Sequence, residues 1–321
     1  MTSVLYANAR AASQEKNLLG KDRLKRMTDG DADTAIKILS EAGFGVGEVS
    51  NIGFDALLDA ETKKLVDFIL SASPDEKITK FFLYPYDYRN AEAIIKAKFL
   101  KSKPIINQFG FYNVKDLKDK IFSDDYTSFP NYLQKALRDA DVAFVNGEAN
   151  GLFINSLFVK ALYNDLFDLN IKEKHIQIIL RAKVDFINIS IALRTRDYSV
   201  AKKQFIHFGD ISDAELKLIC ESDFSDIAEK FNFSSYKDAI SIALSGLENS
   251  ENLKEFERIA DGYAATVMNK EKFVSVGILP FIRYCIYKFA DIMNARIILV
   301  GYSVGLSKEE IFAKLRESYE G

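Results

Sequence analysis

Apolar residues recur at steps of three and four along nearly the whole chain, the period of a helix with one buried face. In SLFVKALYNDLF, Leu157, Val159, Leu162, Leu166 and Phe167 predict one helix. In HIQIILRAKVDFINISIALRTRDYS, Ile176, Ile179, Leu180, Val184, Ile187 and Ile191 predict another. The isoleucine-rich part of that run has strand-like composition, but no Gly or Pro interrupts it from His175 to Ser199. That length decides for helix. Prolines number five, and none falls between Pro130 and Pro280. A chain alternating strands with helices needs denser turn punctuation, so the expected class is all-α.

Polar residues mark where helices begin. Ser212 with Glu215 and Ser307 with Glu310 have the spacing of a capping box, in which the serine oxygen accepts an orphan backbone N–H and the glutamate reaches back. Asn113 has the position of a simpler N-cap. These starts expose a repeated order of parts. NARAASQEKNLL from Asn8, NAEAIIKAKFL from Asn90, HIQIILRAKVD from His175 and NARIILVGY from Asn294 each precede a polar loop and a short helix. The short pieces are KDRLKRM, VKDLKDKI, SDAELKLI and SKEEIFAKL. In the first three units a further amphipathic helix follows, with cores AIKIL, YLQKAL and AISIAL. This alignment lays Lys96-Ala97-Lys98 on Arg181-Ala182-Lys183 and predicts three full units and a truncated fourth.

One polar pattern interrupts this apolar order twice. YDYRNAEAIIKAK carries Asp87 and Asn90, and DIMNARIILVGY carries Asp291 and Asn294. For the first, Pro85 followed by Asp87 reads as a helix start. The second lies inside a continuous helical pattern from Phe281, where no cap is needed. At helical spacing Asp, Asn, Ala and Ile share one face. Polar groups there need hydrogen-bond partners, and two readings stay open: structural packing, or a surface facing a partner.

Composition narrows the chemistry. Over 321 residues, 48% hydrophobic content supports a large core, and a net charge of −3 gives no general attraction to nucleic acid or anionic lipid. Cys220 and Cys285 stand far apart without C-x-x-C spacing and predict buried thiols in a reducing compartment. The opening MTSVLYANARAASQEK turns polar too early for a signal peptide, and no apolar run is long enough to span a membrane. GFGVG, from Gly43, lacks the strand that a dinucleotide loop requires, and Gly20-Lys21 is followed by Asp22 rather than Ser or Thr. DGDADT has Thr34 and Ser40 where a calcium loop needs Gly and Glu, so its aspartates predict a helix N-terminus. His175 and His207 have no companions at ligand spacing. No catalytic residue, cofactor or metal site is expected.

The ordered set of motifs resembles the C subunit of rotary V-type and archaeal A-type ATPases, whose eukaryotic counterpart is the d subunit. LYANARAASQEKNLL is similar to that family's opening Y-x-x-A-R-x-R-x-x-x-x-x-L-L, and Tyr86 to Lys98 to its Y-D-x-x-N-x-x-x-x-x-K-A-K. HIQIILRAK partly matches N-I-x-x-x-L-R-A-K, with His175 at the asparagine position and Lys172 at that of the usual preceding aspartate. FADIMNARIILVGY matches E-x-E-I-x-N-x-R-x-I-x-x-G, with Phe289 at an acidic position, and GLSKEEIFAKL matches G-L-S-x-E-E-I-x-x-x-L.

The resemblance implies an all-helical funnel of three similar subdomains about a pseudo-threefold axis, expected at 1–85, 86–170 and 171–321. It implies a non-catalytic rotor subunit of the central stalk, cytoplasmic and peripheral on the membrane. Its expected partners are the shaft subunits and the membrane proteolipid ring, and it passes torque for ATP-coupled proton or sodium transport. Candidate residues for shaft or ring contact, or for repeat packing, are Tyr6, Asn8, Arg10, Asp87, Arg89, Asn90, His175, Arg181, Asp291, Asn294 and Arg296. The helices that carry them are expected to line the cavity. The alternative is a helical-repeat adaptor for soluble protein partners. An enzyme without a recognisable motif is a third reading.

Overall fold

The computed structural model describes residues 3–45, 53–248 and 253–320, and no strand occurs among them. The chain is all-α and divides into two compact units, Met1–Pro74 with Phe224–Gly321, and Asp75–Asp223. The first unit holds α1 (Val4–Glu15), α2 (Gly20–Asp29), α3 (Ala32–Glu41) and α4 (Phe54–Ala72). The second holds α5 (Glu76–Leu100), α6 (Val114–Phe122), α7 (Asn131–Val145), α8 (Gly151–Asp168), α9 (Lys174–Thr195), α10 (Tyr198–Ala201) and α11 (Asp213–Glu221). The first unit then resumes with α12 (Phe224–Lys230), α13 (Lys237–Glu248), α14 (Lys254–Lys270), α15 (Leu279–Ser303) and α16 (Lys308–Ala313).

In the second unit α5 packs against α6, α7 and α8, and α9 packs against α10 and α11. In the first, α15 is the centre, with α1, α2, α3, α4, α14 and α16 against it. α5 and α15 bury residues around most of their circumference, from Phe81 through Tyr88 to Ile95 and from Phe281 through Tyr287 to Leu299. A helix buried all round has lost the polar stripe of a surface helix, so a polar residue on it has to find its partner inside the protein.

Most predicted starts hold. Ser212 with Glu215 and Ser307 with Glu310 form complete capping boxes. Asn113 accepts from the N–H groups of Lys115 and Asp116, and Asp31 of DGDADT caps α3 through the Thr34 N–H at 2.8 Å. Gly43 ends α3 at φ 82°, as a helix C-terminus requires, while the last two residues of GFGVG lie outside the described residues.

Two expectations fail for physical reasons. Asp87 is not a helix start: α5 runs unbroken through Pro85, and Asp75 caps it by accepting from the Lys77 N–H. The proline side chain faces solvent. The expected boundary at 85/86 therefore lies inside α5. The run from His175 to Ser199 is also not one helix. α9 stops at Arg196, which takes the left-handed conformation at φ 50°, and Asp197 caps the short α10. The Arg196 guanidinium donates to the carbonyls of Ile219 and Ser222 at the end of α11, which holds this turn without Gly or Pro.

Candidate functional site

The buried polar residues of the long helices do one repeated job. On α5, the Asn90 amide pairs with both backbone groups of Asn107, accepting its N–H at 2.8 Å and donating to its carbonyl at 3.0 Å. One turn earlier, the Asp87 carboxylate accepts the N–H groups of Phe111 at 2.9 Å and Tyr112 at 3.1 Å. The side chains thus clip the loop between α5 and α6 onto the helix.

On α9 the same clip is built from Asp185 and Asn188. Asn188 accepts from the Ile206 N–H at 2.9 Å and donates to its carbonyl at 2.8 Å. Asp185 accepts from Asp210 at 2.9 Å and Ile211 at 3.1 Å. The repeat register is therefore set by Asn188 and not by His175. Arg181-Ala182-Lys183 matches Lys96-Ala97-Lys98 in letters but not in place, since counting from Asn90 and Asn188 sets Arg194 against Lys96. D-x-x-N was legible in VDFINISIAL, but Ile189 stands where the other copies have alanine, and the R-A-K letters drew the alignment elsewhere.

On α15 the third clip takes its two halves from distant parts of the sequence. Asn294 pairs with Arg316, accepting its N–H at 2.8 Å and donating to its carbonyl at 3.1 Å. Asp291 accepts the Leu19 N–H at 2.8 Å. The Gly20 N–H also favours the carboxylate, yet Asp291 Oδ1 closes no hydrogen bond among the described residues. Asn8, the expected counterpart in the first unit of the repeat, makes no such clip; its amide donates to the Gly277 carbonyl at 2.8 Å.

Electrostatics follow from burial. Burial pushes the Asp87 carboxyl up to about 7, against the pull of the Phe111 and Tyr112 N–H groups. Burial also pushes Asp291 up to about 7, opposed by the Leu19 N–H and by Lys288. Lys288, one turn before Asp291, is itself buried; it pairs with Glu61 of α4 at 2.8 Å and lies 4.0 Å from the centre of the Phe44 ring. At the equivalent places one turn before Asp87 and Asp185 stand Tyr84 and Ala182.

The remaining candidates engage their local surroundings. Tyr6 is exposed. Arg10 donates to Ser71 at 2.9 Å and lies over the Phe68 ring at 5.1 Å. Arg89 is exposed, and Arg181 donates to the Phe208 carbonyl at 3.2 Å and approaches Asp210 at 3.4 Å. His175 is buried at the start of α9, with Nδ1 2.6 Å from Glu173. Arg296 reaches Asp55 at 2.5 Å and Asp59 at 3.3 Å on α4.

The sequence model of the family described as ATP synthase (C/AC39) subunit matches residues 7–313. The chain belongs to this family. Among curated members it is 22% identical to the C subunit of the A-type ATP synthase of Methanocaldococcus jannaschii, over 95% of this chain and 84% of that one. It is 19% identical to the C subunit of the V-type sodium ATPase of Enterococcus hirae, over 96% of each. A shorter match, 31% identical over 42% of this chain and 40% of the relative, is to the C subunit of the A-type ATP synthase of Halobacterium salinarum. For a C/AC39 chain the clips have a clear chemical meaning. The carboxylates of Asp87, Asp185 and Asp291 accept backbone N–H groups of the segments they hold. No group of three or more His, Cys, Asp or Glu among the described residues could hold a metal ion. No helix among them is long and apolar enough to cross a membrane.

Proposed function

We propose that this C/AC39 chain is the non-catalytic central-stalk subunit of a rotary A- or V-type ATPase. In this reading it is a cytoplasmic socket that links the shaft to the membrane proteolipid ring and passes torque for ATP-coupled ion transport. The observation that carries the reading is the threefold recurrence of one buried Asp–Asn clip, on α5, α9 and α15, in a chain that matches its family over residues 7–313. A part that bears load under rotation needs stiff walls. Tying each connecting loop to its long helix by buried hydrogen bonds in a low-dielectric interior supplies such stiffness. The recurrence supports a reading of three similar helical parts, one built on each of α5, α9 and α15.

Within this proposal the site residues divide by role. Asp87, Asn90, Asp291 and Asn294 are almost wholly buried and serve repeat packing. Tyr6 and Arg89, which are exposed, remain the candidates for shaft or ring contact. The test is assembly of the ATPase with and without this chain. The soluble head should hydrolyse ATP in both preparations, and ATP-driven ion transport should be lost without the chain. Normal transport in its absence overturns the proposal.

A further inference from the structure

We propose that residues 315–320 form a releasable strap that orders the start of α2, with exposed ion pairs making its hold sensitive to ionic strength. The strap has no regular secondary structure, yet it is held along its length. Arg258 donates to the Leu315 carbonyl at 3.0 Å, Arg316 pairs with Asp261 at 2.9 Å, and Asn269 donates to the Ser318 carbonyl at 2.9 Å. At Gly262 of α14 a Cβ would come within 2.9 Å of the Glu317 nitrogen, so the backbone of the strap lies directly on that helix.

The strap supplies what α2 lacks. No side chain from its own N-cap, Leu19, makes a capping bond, and the first N–H groups of a helix have no partner within it. The Lys21 N–H donates to the Tyr319 carbonyl at 3.1 Å, and Asp291 serves Leu19. The Lys21 ammonium then pairs with Glu317 at 2.8 Å and Glu320 at 2.6 Å. Lys21 and Glu320 are half-exposed and Glu317 a third exposed. Such pairs weaken as salt shortens the screening length. In the other two clips, Asn107 to Phe111 and Ile206 to Asp210, chain continuity keeps both halves together when one lets go. Here neither half is tethered to the other.

Hydrogen exchange on the full chain, from low salt to about 1 M NaCl, tests this. Amides of residues 18–22 and 315–320 should exchange about three- to tenfold faster at high salt, and together, while 107–112 and 206–211 stay unchanged. The double variant Glu317→Gln with Glu320→Gln keeps the strap's length and should show the high-salt exchange already at low salt. Salt-independent exchange at 18–22 and 315–320 overturns the proposal, as does faster exchange at 315–320 with 18–22 still protected. Wild-type low-salt protection in the double variant also overturns it.

Discussion

The clips on α5 and α9 and the clip on α15 do the same work with different chain economy. In the first two, one short loop supplies both the residue paired with Asn and the two N–H groups received by Asp. That loop has to turn sharply beneath the carboxylate, and a glycine sits at the bend each time. A Cβ at Gly110 would lie 2.2 Å from Asp87 Oδ1, and at Gly209 2.1 Å from Asp185 Oδ1. On α15 the halves arrive from Leu19 and from Arg316, no turn is needed, and the residue before Leu19 is Leu18 rather than glycine. The α15 carboxylate instead leans on a buried cation, Lys288, and keeps one oxygen without a hydrogen bond among the described residues. The first two clips are fixed by backbone geometry. The third is fixed by electrostatics and by contacts between distant segments.

The largest effect that separates them should come from Lys288→Met. Removing one partner of a buried ion pair leaves the other charge uncompensated, at a cost of about 3–5 kcal/mol. Here Asp291 loses its buried cation and Glu61 keeps only the half-exposed Lys64, at 3.1 Å. Urea unfolding should register that loss, whereas Lys64→Met, which removes the half-exposed partner of Glu61, should cost less than about 1 kcal/mol. Equal effects would erase the electrostatic half of the comparison.

Gly209→Ala should come next. The added methyl must displace the Asp185 carboxylate or the loop, and overpacking of this kind costs about 1–3 kcal/mol. The loss should appear in urea unfolding, with faster hydrogen exchange at 206–211. Asn188→Ala and Asn294→Ala each strand one buried N–H and one carbonyl, at about 1–3 kcal/mol per group. The first should lower stability throughout its unit, and the second should chiefly free residues 315–320, as read by exchange.

The dependence on pH separates the buried carboxyls from the surface. A carboxyl whose native pKa lies above its unfolded value binds its proton more tightly in the folded state. Its stabilising share is complete below the ordinary value of 3.8 and is lost as pH rises through about 7 for Asp87 and Asp291. Lys98 holds Asp124 below the ordinary range, and Lys21 does the same for Glu320. Their share is present above the ordinary value and disappears as pH falls through their lowered pKa. Stability should therefore rise as pH drops from about 7 to about 5, and Asp87→Asn should flatten that slope. An unchanged slope in the variant would remove Asp87 from the account. The smallest effect is expected from Glu317→Gln, below about 1 kcal/mol in global stability, because its partner Lys21 is half-exposed.

The helical class, the capping boxes and two of the three Asp–Asn pairs were legible because each is written in local spacing. The third pair was missed because letter identity at Arg181-Ala182-Lys183 competed with chemistry at Asp185 and Asn188. Pro85 misled because burial of Phe81, Tyr84, Tyr88 and Ile94 carries α5 through a residue that ordinarily starts or breaks a helix. The joining of Leu19 and Arg316 on one helix could not be read locally at all. Nothing in the sequence near either residue names the other; the buried carboxylate and amide of α15 bring the two segments together, and Lys21 then meets Tyr319, Glu317 and Glu320.

The central claim, that this C/AC39 chain is a rotor socket, is tested most directly by affinity purification of the tagged chain from native membranes with the ATPase intact. Shaft and proteolipid subunits should be recovered with it in fixed proportion. Recovery of the chain without either, from membranes whose ATP-driven transport is undiminished, would contradict the account.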